Sequence, residues 1–303
     1  MTRIWSCTFW DSVTASDTGT GRAGRMEMII RAAGLGTHVL TAGDGGTPVL
    51  LLHGAGIDCA SLSYGPVICD LGRRCRVYAP DWPGYGRSDK PEIKYTTAYY
   101  IRFLGDLMDS LGLGKASLIG LSMGGAVALG MALQRPDRVE RLVLVDSYGL
   151  GREVPWKPLT YLYAKTAGRG GFIWAVGRMP PWAVKWSLGL QLREPRLVST
   201  ELVDKVRQEA RRERAGLAFS SWLASEVSWR GLATDYSGRL GEIKCPVLIL
   251  HGREDRLVPM HQAYQAHALI GGSRIHVVDH CGHWLPREQP QLFVRAVLDF
   301  LGG

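Results

Sequence analysis

Six short apolar runs recur along the chain, and helix-length amphipathic stretches lie between several of them. The runs are residues 47–54, 75–81, 116–120, 139–146, 245–252 and 273–279. Apolar runs of this length are typical of strands that are buried on both faces of a sheet. Strands that alternate with helices form βαβ units with right-handed crossovers. The alternation therefore predicts an α/β fold, in which helices flank a mostly parallel sheet.

Two further strands are predicted before the first of these runs. Residues 28–34 and 37–43, with glycines between them, are typical of a hairpin and bring the expected sheet to eight strands. The helix-length stretches cover residues 96–112, 123–135 and 290–301. We expect residues 26–148 and 241–303 to form one α/β core.

The alternation stops between residues 147 and 241. This interval contains six of the ten tryptophans, and its pattern predicts several helices without strands, for example over residues 200–223. Between Leu150 and Leu240 there are fifteen Lys and Arg against eight Asp and Glu, whereas the rest of the chain is nearly neutral. We interpret residues 149–240 as a helical cap inserted after the sixth strand.

Several classes of protein are disfavoured by the sequence. Residues 1–25 are polar and lack the apolar segment of a secretory signal, so we expect a disordered tail and a cytoplasmic protein. No apolar run approaches the roughly 18–20 residues of a membrane-spanning helix. The six cysteines show no paired spacing, which disfavours a zinc ribbon or a disulfide framework. A G-x-G-x-x-G match at residues 19–24 lacks the strand and helix that dinucleotide binding requires.

A serine between glycines follows the run that ends at residue 120. Residues 120–124, Gly-Leu-Ser-Met-Gly, fit G-x-S-x-G with a predicted strand before them and a predicted helix after them. At such a sharp turn the flanking residues must be small, because side chains there would collide with neighbouring structure. The turn exposes the Ser122 hydroxyl at the carboxyl edge of the sheet, beside a helix N-terminus. Ser122 is therefore the predicted nucleophile.

A second glycine-rich loop, His-Gly-Ala-Gly at residues 53–56, follows another predicted strand. Acyl transfer produces an oxyanion, and backbone N–H groups directed at it make a large contribution to catalysis. We expect Ala55 to supply one such donor and Met123, the residue after the nucleophile, to supply the other. We also expect His53 and Gly54 of this loop to contact the substrate.

A hydroxyl nucleophile needs a base, and the base needs an acid that fixes its tautomer. His283, on the loop between the last strand and the last helix, is the predicted base, and His280 is the alternative. Asp255 follows a predicted strand and is the predicted acid. Asp146, at the end of another predicted strand, is the competing acid, and Glu254 is the neighbour of Asp255.

Three histidines close together in the sequence, His276, His280 and His283, raise the question of a metal site. His276 lies inside a predicted strand, and no carboxylate or cysteine pattern completes a ligand shell. We therefore predict neither a metal site nor another cofactor.

The motifs together resemble the α/β-hydrolase fold superfamily from about Met28 to the end of the chain. Besides the serine turn and residues 53–56, they include DWPGYGRSDKP at residues 81–91 and CGHW at residues 281–284. The chain order Ser122, Asp255, His283 is the order that this fold uses. The resemblance implies an eight-stranded sheet with a cap, and a serine nucleophile disfavours the relatives that open epoxides or displace halide with an aspartate.

Within that superfamily the chain looks similar to several branches: small carboxylesterases, enol-lactone hydrolases, cofactor-free perhydrolases and the carbon–carbon hydrolases of aromatic ring-fission products. DSYGLG at residues 146–151 and Trp284 favour the last branch, whereas Leu121 stands where that branch usually has Asn. We expect hydrolysis of a carboxylic ester with an apolar or aromatic acyl part. Carbon–carbon, thioester or lactone cleavage is the alternative, and a non-catalytic ligand-binding protein on the same fold is the remote one.

The tryptophan-rich, basic cap predicts an apolar pocket for a small-molecule substrate. We expect Trp284 and Arg207 to contact the substrate, with Arg211 and Arg212 as alternative partners of a carboxylate. An acyl chain on an acidic carrier protein is an open alternative. Because the basic residues are interleaved with acidic ones, we predict no nucleic-acid or membrane partner, and the oligomeric state stays open.

Overall fold

The structure is a computed structural model that describes residues 24–153, 157–166, 171–189 and 191–302. Its strands are β1 Met26–Ala32, β2 Leu35–Ala42, β3 Pro48–Leu52, β4 Arg76–Pro80, β5 Ala116–Leu121, β6 Val139–Val145, β7 Val227–Ser228, β8 Gly231–Leu232, β9 Val247–Gly252 and β10 Arg274–Val278. Its α-helices are α1 Ala60–Tyr64, α2 Ile68–Leu71, α3 Thr97–Ser110, α4 Met123–Gln134, α5 Lys157–Thr166, α6 Gly171–Val176, α7 Pro181–Gly189, α8 Thr200–Ala210, α9 Leu217–Glu226, α10 Met260–Leu269, α11 Leu285–Glu288 and α12 Pro290–Gly302. Residues 1–23 lie outside the described residues, and they include most of the expected tail and most of the glycine motif at 19–24.

Eight strands form one sheet in the order β1-β2-β4-β3-β5-β6-β9-β10. The pairs β1–β2 and β2–β4 are antiparallel, and the remaining pairs are parallel. The predicted fold class, a mostly parallel eight-stranded sheet flanked by helices, is confirmed. Because the parallel strands share one direction, their carboxyl ends meet at one edge, which is where open α/β sheets bind ligands.

Helices cover both faces of the sheet, and consecutive side chains of a strand therefore enter different parts of the core. Leu50 of β3 joins the cluster under α3, α4 and α10, whereas Leu51 joins the cluster under α1, α2 and α12. Every residue of β5 and β9 is buried. Burial on both faces explains why these strands are continuous apolar runs in the sequence rather than alternating ones.

The helices α5 to α9 lie between β6 and β9. The prediction of helices without strands in this interval is wrong, because β7 and β8 form a short antiparallel ladder. The turn of this ladder uses Gly231 at φ +114°, a conformation that side chains disfavour. The stretch predicted as helical over 200–223 is divided into α8 and α9, and Arg214 and Gly216 between them have φ values of 56° and 85°.

A buried carboxylate joins the inserted helices to the sheet-forming part of the chain. Glu226, the last residue of α9, is 3% exposed. Its side chain accepts hydrogen bonds from the Thr97 hydroxyl at 2.7 Å, the Tyr148 hydroxyl at 2.8 Å and the Thr234 N–H at 3.0 Å. Trp222 donates its indole N–H to the same threonine hydroxyl at 3.1 Å. Three donors from separate parts of the chain are therefore fixed around one side chain.

None of the described helices combines the length and the apolar character needed to cross a membrane. The cysteines within the described residues, five in number, are all free thiols, and three of them are buried. Burial raises the pKa of the Cys59 thiol well above its usual value. A buried thiol with a raised pKa is a poor nucleophile, so Cys59 has the character of a core residue.

Candidate active site

The turn at Ser122 is a strained junction between β5 and α4. Ser122 has φ 52° and ψ −116°, a conformation that non-glycine residues rarely adopt. A Cβ atom on Gly120 would lie 2.3 Å from the carbonyl oxygen of Gly124, and one on Gly124 would lie 2.1 Å from that of Leu52. Both flanking positions therefore exclude a side chain, for the steric reason that the sequence analysis gave.

Ser122 opens onto a cavity of about 510 Å³ at the carboxyl edge of the sheet. The inserted helices supply one wall, with side chains such as Val206, Phe219 and Trp222. His283, on the loop after β10, lines the same cavity. Most of the lining is apolar, which is typical of small-molecule sites with a few convergent polar groups.

His283 and Asp255, on the loops after β10 and β9, form a hydrogen-bonded pair. Nδ1 of His283 lies 2.8 Å from Oδ2 of Asp255. Oδ1 of Asp255 accepts hydrogen bonds from the N–H groups of Leu257 at 2.7 Å and Val258 at 3.1 Å. Both oxygens of this buried carboxylate therefore accept hydrogen bonds that favour its ionised form.

The two ionisable groups shift each other's pKa. Burial acts to raise the pKa of Asp255, but the charge and hydrogen bond of His283 outweigh it and lower this pKa below its ordinary value. Burial acts to lower the pKa of His283, but the charge and hydrogen bond of Asp255 outweigh it and raise this pKa to about 9. The pair therefore stabilises an imidazolium, the species that a histidine becomes when it removes a proton.

Ser122 and His283 thus line the same cavity, and Asp255 bonds His283. No hydrogen bond joins the Ser122 hydroxyl to the His283 ring within the described part of the chain. Such bonds are often long in unliganded enzymes and tighten when substrate binds.

The alternative acids and base have other positions. Asp146 is fully buried and accepts a hydrogen bond from the N–H of Gly252 at 2.8 Å. Glu254 accepts one from the N–H of Cys281 at 3.0 Å. His280 is exposed. Neither alternative carboxylate bonds the predicted base, so the geometry favours the pair described above.

The two predicted oxyanion donors lie next to the serine. Ala55 lines the cavity, and Met123 is the first residue of α4. Neither backbone N–H has an acceptor among the described residues, so both remain free to bind an anion. Gly54 also lines the cavity, and a Cβ atom there would lie 3.4 Å from Cβ of Ser122. The loop therefore approaches the serine as closely as its glycine allows.

His53, which is predicted to contact the substrate, lies behind this loop. The side chain is fully buried and is not part of the cavity wall. Its Nδ1 donates to the carbonyl of Gly54 at 2.8 Å, and its Nε2 accepts from the N–H of Trp82 at 3.1 Å. Because both ring nitrogens bond the backbone, the histidine shapes the loop instead of facing the ligand.

Trp284, which is predicted to contact the substrate, lines the cavity and is held by a chain of hydrogen bonds. Its indole N–H donates to the Ser63 hydroxyl at 2.8 Å, and Ser63 donates to Oδ2 of Asp58 at 2.7 Å. The same carboxylate oxygen accepts from the N–H of Gly54 at 2.8 Å. Asp58 and Ser63, which the sequence analysis missed, therefore connect the tryptophan wall to the loop beside Ser122. No motif marks either residue in the sequence.

Among the described residues between β6 and β9 no arginine lines the cavity, although Arg207 is predicted to contact the substrate. Its Nη1 lies 3.8 Å from Oδ1 of Asp204, and its buried Nε has no partner. Arg211 and Arg212 line other pockets. Among the described residues that line the cavity, Arg256 is the one Lys or Arg, and it lies on the loop that carries the predicted acid. The sequence analysis did not single out Arg256.

The predicted histidine cluster does not converge, because His276 and His280 are exposed. A different group, Asp146, His251 and Asp255, has potential ligand atoms within 4.8 Å of one another in the described part of the chain. Nε2 of His251 bonds a backbone carbonyl at 3.1 Å, and Asp255 is occupied by the donors described above. We assign this group to the hydrogen-bond network around the site and not to a metal.

Comparison with known proteins relates the whole arrangement to hydrolases. A family profile described as alpha/beta hydrolase fold matches residues 47–290. A 2-hydroxy-6-oxo-6-(2'-aminophenyl)hexa-2,4-dienoic acid hydrolase of Metapseudomonas resinovorans is 34% identical over 91% of this chain and 91% of the relative. A 2-hydroxy-6-oxo-2,4-heptadienoate hydrolase of Pseudomonas putida is 32% identical over 92% of this chain and 96% of the relative. The solved meta-cleavage product hydrolase of Pseudomonas fluorescens IP01 superposes with a TM-score of 0.76 at 29% identity, over 91% of this chain and 97% of that one.

Proposed function

Because the chain belongs to the α/β-hydrolase fold family, we propose that it hydrolyses a carbon–carbon bond next to a ketone, with Ser122 as nucleophile, His283 as base and Asp255 as the orienting acid. The observation that supports the proposal is that Ser122 and His283 line one largely apolar cavity, while Asp255 bonds His283 at 2.8 Å. The relatives above, named as hydrolases of 2-hydroxy-6-oxo-dienoic acids, support a conjugated keto acid as substrate class. Carbon–carbon cleavage therefore moves ahead of the ester hydrolysis that the sequence alone favoured.

The first step is attack on the ketone. His283 takes the proton of the Ser122 hydroxyl, and the oxygen forms a bond to the ketone carbon. The ketone oxygen becomes an oxyanion, which accepts hydrogen bonds from the N–H groups of Ala55 and Met123. The charge of Asp255 stabilises the imidazolium, in agreement with the raised pKa of His283.

The second step breaks the carbon–carbon bond. Before the attack, the 2-hydroxyl proton of the substrate moves to the carbon beside the 6-ketone, which gives the keto tautomer. In this tautomer the oxyanion collapses, and the electron pair of the breaking bond passes into the conjugated 2-ketone fragment as a dienolate. His283 returns its proton to the carbon of this fragment, which leaves an acyl group on Ser122. Water then gives a proton to the imidazole and attacks the acyl carbon, and Ser122 recovers its hydrogen as the carboxylic acid departs. One water is consumed and no cofactor takes part.

The cavity suits a substrate with an apolar end and an anionic end. Phe219, Trp222 and Trp284 supply apolar and aromatic surface. Arg256, an exposed lining residue next to Asp255 in the chain, offers a guanidinium to a carboxylate. We treat the helices α5 to α9 as the cap of the site, because they close the cavity on the side away from the sheet.

Ester hydrolysis is the second candidate, and one residue favours it. Leu121, immediately before the nucleophile, is 2% exposed and lines the cavity with an apolar side chain. An alkoxide leaving group needs one proton from His283 and no delocalising fragment. A purely apolar contact at this position is therefore sufficient for ester hydrolysis, whereas a polar side chain there would help to orient a keto acid.

Parallel assays of a chromophoric 2-hydroxy-6-oxo-dienoate and of p-nitrophenyl esters from acetate to decanoate test the proposal. Wild type, Ser122→Ala and the exposed control Ser110→Ala are compared. We expect loss of dienoate colour with wild type and the control, and a fall in kcat of at least about 10³-fold for Ser122→Ala. Turnover of esters alone would make the second candidate the function. Equal activity of Ser122→Ala on either substrate would exclude a serine mechanism.

A further inference from the structure

A carboxyl group outside the proposed triad contacts both loops that carry the base and the acid. Asp146 follows β6 and is fully buried. Its φ is 44°, a left-handed conformation that costs free energy. Its Oδ1 accepts a hydrogen bond from the N–H of Gly252 at 2.8 Å, just before Asp255. Its Oδ2 accepts a longer one from the N–H of Leu285 at 3.4 Å, just after His283. One side chain therefore connects the two loops.

A second buried histidine lies between the two carboxyl groups. Nε2 of His251 bonds the carbonyl of Val258 at 3.1 Å, so this nitrogen carries the ring hydrogen. Nδ1 is then an acceptor; it is fully buried, has no hydrogen-bond partner, and lies 3.9 Å from Oδ1 of Asp146. Nε2 lies 3.8 Å from Oδ2 of Asp255. A lone pair on Nδ1 and an ionised carboxylate would repel each other, so this arrangement favours the protonated form of the Asp146 carboxyl group.

The surroundings decide which of the two carboxyl groups is charged. Asp255 faces His283 and two backbone N–H groups, all of which favour its ionised form. Asp146 faces two backbone N–H groups, the neutral His251, the charge of Asp255, which disfavours its ionised form, and the charge of protonated His283, which favours it. Burial, followed by the charge of Asp255, raises the pKa of Asp146 well above its usual value, and burial lowers that of His251. Two ionised carboxylates this close in a buried site would repel each other strongly.

We propose that Asp146 is a positioning residue of the active site: as an uncharged carboxyl group, it holds the loops of Asp255 and His283 in register and leaves Asp255 as the single charged partner of the base. The proposal rests on the roles given to these two residues above. It assigns a use to a buried acid that the proposed reaction does not employ. The base would then depend on a residue that never contacts substrate.

Titration of the His283 ring by NMR tests the charge of Asp146 without any substrate, and the signal is assigned by its loss in His283→Gln. Asp146→Asn replaces one uncharged group by another of the same shape, so we expect the pKa of His283 to stay within about half a unit of wild type. Asp255→Asn is the matched comparison and should lower it by more than about one unit. An equal fall in Asp146→Asn would mean that Asp146 is charged, and the proposal would be wrong.

Steady-state kinetics test the positioning role. Asp146→Ala removes both contacts, and we expect kcat to fall about 10- to 100-fold with KM nearly unchanged. Asp279→Asn, an exposed carboxylate on the loop after β10, serves as control and should leave kcat unchanged. Wild-type kcat in a folded Asp146→Ala would overturn the proposal. If that variant does not fold, the titration of Asp146→Asn decides; failure of the proposed function would instead abolish turnover without altering either titration.

Discussion

Nδ1 of His283 donates a hydrogen bond to Oδ2 of Asp255 over 2.8 Å, although the two residues follow different strands of the sheet. This contact depends on β9 and β10 being parallel neighbours, because their carboxyl ends then open onto the same edge. Asp255 lies a few residues after β9 and His283 a few residues after β10, so two short loops bring the side chains into contact. The properties of the base are therefore set by strand pairing as much as by the two side chains.

The pH dependence of activity follows from this pair. The pKa of His283 is raised to about 9, against an ordinary value near 6.5. Only the neutral imidazole can accept the Ser122 proton, so kcat/KM should rise with pH until the raised pKa is passed. Asp255→Asn should move this limb down toward the ordinary value and lower kcat by on the order of 10⁴-fold. A wild-type limb at or below the ordinary value would contradict this expectation.

A methyl group at Gly124 should destabilise the protein strongly. Its Cβ would lie 2.1 Å from the carbonyl oxygen of Leu52, and backbone atoms cannot move aside easily. We expect Gly124→Ala to lower the free energy of unfolding by about 3 kcal/mol or more. Gly105→Ala is the matched control, since its Cβ would meet only the Met131 methyl group at 3.8 Å. That substitution should raise stability by roughly 0.5–1 kcal/mol in urea titrations.

Loss of the Glu226 charge should loosen the junction of the inserted helices. In Glu226→Gln one acceptor oxygen becomes an N–H₂ group that faces donors such as the hydroxyls of Thr97 and Tyr148. We expect a loss of about 3 kcal/mol in the free energy of unfolding. The exposed Glu242→Gln should change it by less than about 0.5 kcal/mol. Equal urea midpoints for the two variants would show that the buried carboxylate is not needed there.

The chain of hydrogen bonds behind the cavity gives another expectation. Ser63→Ala leaves the indole N–H of Trp284 without its acceptor and removes one donor from Asp58. We expect a loss of about 1–3 kcal/mol in stability, because a buried polar group remains unpaired. Thermal unfolding of this variant and of Ser110→Ala, whose hydroxyl is exposed, measures the difference. Trp284→Phe should restore part of the loss in the Ser63→Ala background, since it removes the orphaned N–H.

The predictable parts of this molecule are those that local pattern decides. Continuous apolar runs identify the buried strands, and the glycines around Ser122 are required by contacts of a few ångströms within the same turn. The order of nucleophile, acid and base followed from a resemblance that rests on several motifs at once. These features depend on neighbours in the sequence or on the fold class, and both were available from the chain itself.

The features that could not be predicted depend on distant partners. His53 turns away from the cavity because the N–H of Trp82 bonds its ring from a different strand end. Arg207 was expected at the substrate, but on α8 the adjacent Val206 faces the cavity instead. The sequence does not show which of two adjacent helix residues will face a cavity. A ladder of two-residue strands such as β7–β8 is too short to give a reliable pattern either.

The inserted helices leave the sheet after β6 and return at β9, and these two strands are direct neighbours in it. The insertion therefore adds no strand to the eight-stranded sheet and changes no crossover in it, so the length and composition of the insertion can vary without altering the ladder beneath it. Proteins that descend from such a chain can exchange the whole cap, while the proposed catalytic residues keep their positions at the edge of the sheet. New substrates then become accessible through replacement of one contiguous segment, and the inherited chemistry passes unchanged from one lineage to the next.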